Sequence, residues 1–113
     1  MHELAITQSM LDLVLNEANE HGAKKVKSIQ IVIGAMQGVV PDCMETYFEM
    51  MAKDTIAEGA RLDFELHAIQ ARCLDCGKEF EPEEYAWFCT ECSSRNIEIV
   101  RGKELFVNNI EVE

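Results

Sequence analysis

The stretch Cys73-Leu74-Asp75-Cys76-Gly77, with its echo Cys89-Thr90-Glu91-Cys92-Ser93, decides how this chain is organised. Two residues separate the thiols within each pair, and twelve residues separate the pairs. That spacing lets both sulfurs of a pair reach one ion from a tight knuckle turn. Gly77 follows the first knuckle, where a positive φ is often needed. Two knuckles make a tetrahedral four-sulfur site, which Zn²⁺ prefers, and four protein ligands leave no open position, so the expected role is structural. An iron centre of the rubredoxin kind uses the same ligands, and disulfides use the same residues, so spacing alone leaves both open. The segment has little aliphatic content of its own. Phe80, Tyr85, Trp87, Phe88, Ile97 and Ile99 supply most of its apolar surface, so a metal is expected to contribute much of its folding energy.

Upstream of the knuckles the periodicity is regular. Leu4, Thr7, Leu11, Val14 and Ala18 repeat at helical spacing, with Met10 and Leu15 widening the stripe, which predicts a helix over residues 3–21. His21-Gly22 suits its end. Ile29, Ile31 and Ile33 alternate within residues 26–33, and Val26 and Val32 face the other way, as in a strand covered on both sides. Pro41-Asp42 opens a second helix with the inner stripe Met44, Phe48 and Met51. Glu58-Gly59 turns the chain into a half-buried strand carrying Leu62, Phe64, Leu66 and Ala68, with a bulge expected at Ala68/Ile69. Downstream, Phe106, Asn108, Ile110 and Val112 alternate with Leu105 and Val107 in a last strand. The expected fold class is α+β: a three-stranded β-sheet with two helices, plus a cysteine module inserted before the last strand.

Composition narrows the function. Ten Lys+Arg against 21 Asp+Glu give a formal net charge of -11. Phosphate backbones and anionic lipid both require a basic face, so neither nucleic acid nor membrane is an expected partner. The module itself, residues 73–101, carries seven acids and three bases, which also disfavours a nucleic-acid-gripping ribbon. No apolar run approaches the ~20 residues that span a bilayer, and Met1-His2-Glu3-Leu4 does not open a secretion signal. A cytoplasmic protein is expected, and clustered cysteines in a reducing compartment more often bind metal than pair.

The amino terminus offers a second metal chemistry. The Met1 α-amine, the amide nitrogen of His2 and the His2 imidazole can form fused chelate rings, and the Glu3 amide would complete four nitrogens. Planar nitrogen coordination suits Ni²⁺ or Cu²⁺. The Glu3 carboxylate can add an oxygen or steer a ligand. The competing reading is an exposed histidine with no ligand role. Elsewhere the bland reading leads. Cys43 has no local base and reads as a small, partly buried helix residue. His67, on the polar side of its strand, reads as a surface residue, and Met44 and Met51 read as core. Gly34 and Gly38 match no phosphate loop, and no Ser/His/Asp set is visible, so an enzyme is not expected.

Taken in order, Met1-His2-Glu3, Gly34-Ala35-Met36, Val40-Pro41, Gly59-Ala60, the paired knuckles and the terminal Ile110-Glu111-Val112-Glu113 resemble the HypA/HybF family, nickel metallochaperones of NiFe-hydrogenase maturation. The resemblance runs the length of the chain. It implies that His2 is the essential Ni(II) ligand, supported by Met1 and Glu3, and that Cys73, Cys76, Cys89 and Cys92 hold structural Zn(II). It implies a nickel-binding α/β domain (1–72 and 102–113) and a zinc ribbon (73–101). Family members work with the GTPase HypB and deliver nickel to the hydrogenase large subunit, and some also serve urease and its accessory proteins. A monomer or weak homodimer is expected. Thr90 and Ser93 stand where the family often has Pro and Gly, which removes no ligand. No His lies within residues 73–113, unlike relatives in which a His flanks the zinc cysteines. The alternatives are a four-cysteine iron electron carrier and a zinc-ribbon interaction module with no nickel role.

Overall fold

The computed structural model describes residues 2–83 and 87–113. The Met1 amine and the aromatic Tyr85 of the sequence reading lie outside the described residues. The chain forms α1 (Glu3–Glu20), β1 (Val26–Gly34), a 3₁₀ turn (Ala35–Gln37), α2 (Pro41–Met51), β2 (Arg61–His67), β3 (Gln70–Cys73), β4 (Glu79–Phe80), β5 (Ile97–Arg101) and β6 (Leu105–Val112). It divides into two compact units. One comprises Met1–Val32, Gly38–Glu65 and Phe106–Glu113, the other Ile33–Gln37 and Leu66–Leu105. Among the described residues, no helix is long and apolar enough to cross a membrane.

The first unit holds the three-stranded sheet, in the order β2-β1-β6. The central place of β1 explains its sequence: Val26, Ile29, Ile31 and Val32 are buried, drawn from both faces of the strand. The helices α1 and α2 pack against each other, burying Met10, Leu11, Val14 and Ala18 of the one and Met44 and Phe48 of the other. Gly22 ends α1 with φ +65, and Pro41 begins α2. Cys43 is exposed rather than partly buried, because it lies on the face of α2 opposite Met44 and Phe48.

The helix stripe is rotated from its expected position. Leu4 is 55% exposed, and Glu3 takes the buried place. Burial centres on Thr7, Val14 and Ala18 with Met10 and Leu11 to either side, which turns Leu4 and Leu15 to the margin. The last strand also changes phase: Leu105, Val107 and Ile110 are half-buried while Phe106 and Val112 are exposed, so alternation slips at Asn108-Asn109.

The second unit contains a sheet of its own, β4-β3-β5. Both pairings are antiparallel, with Ala71 opposite Phe80 and Cys73 opposite Ile97. The expected bulge at Ala68/Ile69 is instead the end of one strand and the start of another. The chain leaves β2 at His67 and enters β3 at Gln70, changing sheets, and the irregularity in the ladder falls at Gln70/Ala71. The same departure inverts the expected burial. Leu66 is 64% exposed, and His67 is turned inward with its side chain 13% exposed. The His67 Nδ1 lies 3.1 Å from the Glu104 carboxylate, which also accepts the Gly102 amide at 3.1 Å. Beneath it the segment 34–37 is strapped down: Gly34 N–H donates to the Glu104 carbonyl at 2.6 Å and Met36 N–H to the Gly102 carbonyl at 2.8 Å. A Cβ on Gly34 would overlap the Gly102 carbonyl, so only glycine permits this approach.

Candidate metal centre

Cys73 ends β3, and Cys76 follows one knuckle turn later. The turn is closed by Gly77 N–H to the Cys73 carbonyl (2.9 Å) and Cys73 N–H to the Lys78 carbonyl (2.8 Å). The second knuckle repeats the pattern: Ser93 N–H to the Cys89 carbonyl (3.0 Å) and Cys89 N–H to the Ser94 carbonyl (2.8 Å). Gly77 has φ +81 and Ser93 has φ +63. The geometry therefore demands the left-handed region at both positions, and in the second knuckle a serine bears the steric cost that glycine avoids.

Folding brings all four thiols together. Their sulfurs lie within 4.8 Å of one another, with Cys73–Cys92 and Cys76–Cys89 each at 3.6 Å. A tetrahedral set with metal–sulfur distances of ~2.3 Å requires sulfur–sulfur separations of ~3.8 Å, so the donors fit a four-sulfur centre. The first cysteine of each knuckle is buried and the second exposed. The Cys76/Cys92 side opens to a concavity of about 490 Å³ lined by Cys76, Gly77, Lys78, Glu91 and Cys92.

The thiols are electrostatically divided in the same way. The amides of Cys76 and Asp75 point at the Cys73 sulfur and bring its pKa down to about 7. The amides of Cys92 and Glu91 lower Cys89. The Lys78 amide favours the Cys76 thiolate, yet the sulfur of Cys89, burial and the sulfur of Cys73 outweigh it and raise that pKa. Cys92 is pushed up to about 12, because its neighbouring sulfurs and burial prevail over the Ser94 amide. Four thiolates this close repel one another, and a cation among them removes that repulsion.

Side chains outside the sulfur set also link the knuckles, and sequence reasoning missed them. Asp75 accepts hydrogen bonds from the Ser94 hydroxyl and the Asn96 amide, and both lower its pKa. Lys78 pairs with Glu91 at 3.5 Å. The available signal was an acid at the same place in both knuckles, two residues after the first cysteine.

The amino-terminal candidates sit in the other unit. His2 is exposed and caps α1, with its carbonyl accepting the Ile6 amide at 2.9 Å. Glu3 is 8% exposed. Its carbonyl accepts the Thr7 hydroxyl at 2.5 Å.

A family model described as hydrogenase/urease nickel incorporation, metallochaperone, hypA matches residues 1–112. The chain belongs to the HypA family. The HypA hydrogenase maturation factor of Aquifex aeolicus (strain VF5) is 39% identical over 113 residues, covering 100% of this chain and 98% of that one. The factor of Geobacter metallireducens is 40% identical, with both chains covered completely. Among solved structures, the solution structure of the Ni metallochaperone HypA from Helicobacter pylori matches with TM-score 0.67 at 24% identity, over 99% of this chain and 97% of that one. A second HypA solution structure matches with TM-score 0.74 at 24% identity, over 100% and 97%. The structural likenesses establish the α+β fold with its cysteine ribbon. The family model and curated relatives establish membership in a family of hydrogenase maturation metallochaperones.

Proposed function

We propose that this chain is a nickel carrier rather than an enzyme, binding Ni(II) at its amino terminus and holding Zn(II) in its ribbon. The observation that carries the reading is His2, exposed at the foot of α1 in a chain whose family model spans residues 1–112. Nickel is cargo here. The Met1 amine, the His2 amide and imidazole, and the Glu3 amide are its ligands. The first amides of a helix have no intrahelical acceptor, and the helix's positive end favours a deprotonated, anionic nitrogen beside it. The Glu3 carboxylate, next in the chain to these nitrogens, steers the terminus. An exposed site trades ligands readily with a partner, as delivery requires. Binding weakens as pH falls, because imidazole, amine and amides must lose protons.

Cys73, Cys76, Cys89 and Cys92 hold the structural zinc, whose place in the ribbon is to neutralise the thiolates and fix the knuckles. Nickel handling belongs to the α/β domain of residues 1–72 and 102–113, and zinc to the ribbon of residues 73–101. The partners are the GTPase HypB, the NiFe-hydrogenase large subunit and, in the wider family role, the urease accessory proteins, all in the cytoplasm. Appending residues before Met1 tests the reading. The extended protein should lose stoichiometric Ni²⁺ binding while retaining one zinc per chain. Unchanged nickel affinity would overturn the amino-terminal site, and iron in place of zinc would overturn the structural-zinc assignment.

A further inference from the structure

The two knuckles are related by an approximate two-fold that extends beyond the sulfurs. Each carries an acid two residues after its first cysteine, and each acid reaches the residue five after the first cysteine of the other knuckle. Asp75 reaches Ser94, and Glu91 reaches Lys78. The two bridges differ in construction. Lys78–Glu91 is an ion pair of 3.5 Å between side chains 41% and 65% exposed, on the rim of the opening beside Cys76 and Cys92. Ion pairs of this kind contribute little. The Asp75 bridge is a network. One carboxylate oxygen accepts the Ser94 hydroxyl, and the other accepts the Asn96 side-chain amide at 3.3 Å. The Ser94 oxygen in turn accepts the Asn96 backbone amide at 3.0 Å, and Leu74 N–H donates to the Asn96 carbonyl at 2.8 Å. None of Asp75, Ser94 or Asn96 lines the opening.

We propose that Asp75, through Ser94 and Asn96, is a positioning residue of the metal centre: a latch that holds the two knuckles in register on one side, so that metal exchanges only through the Lys78–Glu91 side. This rests on the four-cysteine zinc reading above. Asp75 touches no metal. It acts by fixing the loop that carries Cys73 and Cys76 against the segment leaving Cys92. With the latch intact, dissociation proceeds by release of the exposed Cys76 and Cys92, while Cys73 and Cys89 stay in place. Without it the knuckles separate as units and all four bonds loosen together.

The test is the rate of zinc transfer from the full-length protein to excess chromogenic chelator at neutral pH. Asp75→Ala and Ser94→Ala should each speed release about ten-fold, the scale typical of groups that orient metal ligands. The double variant should be no faster than either single one, because both remove the same latch. Lys78→Ala should change the rate less than about two-fold. With Co²⁺ in the site, the visible d–d bands should shift in Asp75→Ala and stay unmoved in Lys78→Ala. Unchanged release in Asp75→Ala would overturn the latch. So would a silent Ser94→Ala, which would reduce Asp75 to its charge, or effects that multiply in the double variant. If Asp75→Ala does not fold, Ser94→Ala alone decides, since it leaves the carboxylate in place. Metal analysis of the unaltered protein separates the two claims. One zinc per chain upholds the zinc reading; iron overturns it, and the iron-release rates of the same variants then decide the latch.

Discussion

The two compact units of this chain reach stability by different routes. The first is an ordinary hydrophobic construction. Val14, Ala18, Val26, Ile29 and Met44 are fully buried, contributed by two helices and the central strand of a sheet. In the second, among the described residues, the ribbon core is the small cluster Ala71, Cys73, Phe80 and Cys89, with Ile97 and Ile99 packed beside it. Two of those four core residues are thiols of the candidate metal centre, so the ribbon's core and its four-cysteine cluster share residues. Its sheet is short, with β4 just two residues long, and Trp87 and Phe88 lie 42% and 40% exposed instead of filling it. The contrast teaches that the ribbon lacks the apolar burial that holds the α/β unit, the shortfall that the proposed structural metal would fill.

Three perturbations break or sharpen this contrast. The largest effect comes from stripping the metal with a chelator under reducing conditions. Structural zinc in small zinc-folded peptides is worth about 10–16 kcal/mol in apparent binding free energy, so the ribbon should lose its native amide dispersion while the helical signal of α1 and α2 persists. Simultaneous collapse of both units would contradict the division. Next is Met44→Ala. Met44 is fully buried, and its truncation should lower the stability of the α/β unit by about 2–5 kcal/mol without changing the metal content of the protein. Loss of metal in that variant would show that the units do not stand apart.

The smallest effect concerns Glu104. The Gly102 amide, its own amide and His67 hold its carboxyl below the ordinary value of 4.5. A group with a depressed folded pKa stabilises the folded state above its unfolded pKa and loses that contribution as pH falls through the folded value. Glu104→Gln should therefore melt below the unaltered protein at neutral pH, and the gap between the two should close as pH falls below about 4.5. Acid loss of metal is common to both proteins and cancels in the comparison. A pH-independent gap would remove the charge from the account.

Legibility in the sequence followed the same division. In the α/β unit local pattern and tertiary environment agree except at Leu4 and at the phase slip of Asn108-Asn109. The stripe through Thr7, Leu11, Val14 and Ala18, the alternation of Ile29, Ile31 and Ile33, and the breaks at Gly22, Pro41 and Gly59 were readable because each helix buries one consistent face and β1, central in its sheet, buries both. At Leu66-His67-Ala68-Ile69 that consistency ends, since the chain passes from one sheet to another. Period-two reasoning assumes a single sheet, and it placed Leu66 inside and His67 outside. Glu3 displaced Leu4 because the rotation of the helix is set by its partners. In the ribbon the four cysteines were fully legible from spacing. Its strands were not, because four- and two-residue strands carry too little periodicity. The cross-knuckle pairs Asp75–Ser94 and Glu91–Lys78 became visible only once folding had superimposed one knuckle on the other.

The central claim is that one metal is carried at the amino terminus and a different one builds the ribbon. Its most direct measurement is metal analysis with Ni²⁺ titration of the untagged protein beside His2→Ala. His2 is exposed and caps α1 without a side-chain hydrogen bond, so the substitution should leave folding unchanged. The account predicts one zinc per chain in both proteins, and stoichiometric nickel in the unaltered protein alone. Equal nickel binding by both, or zinc lost together with nickel in His2→Ala, would contradict it.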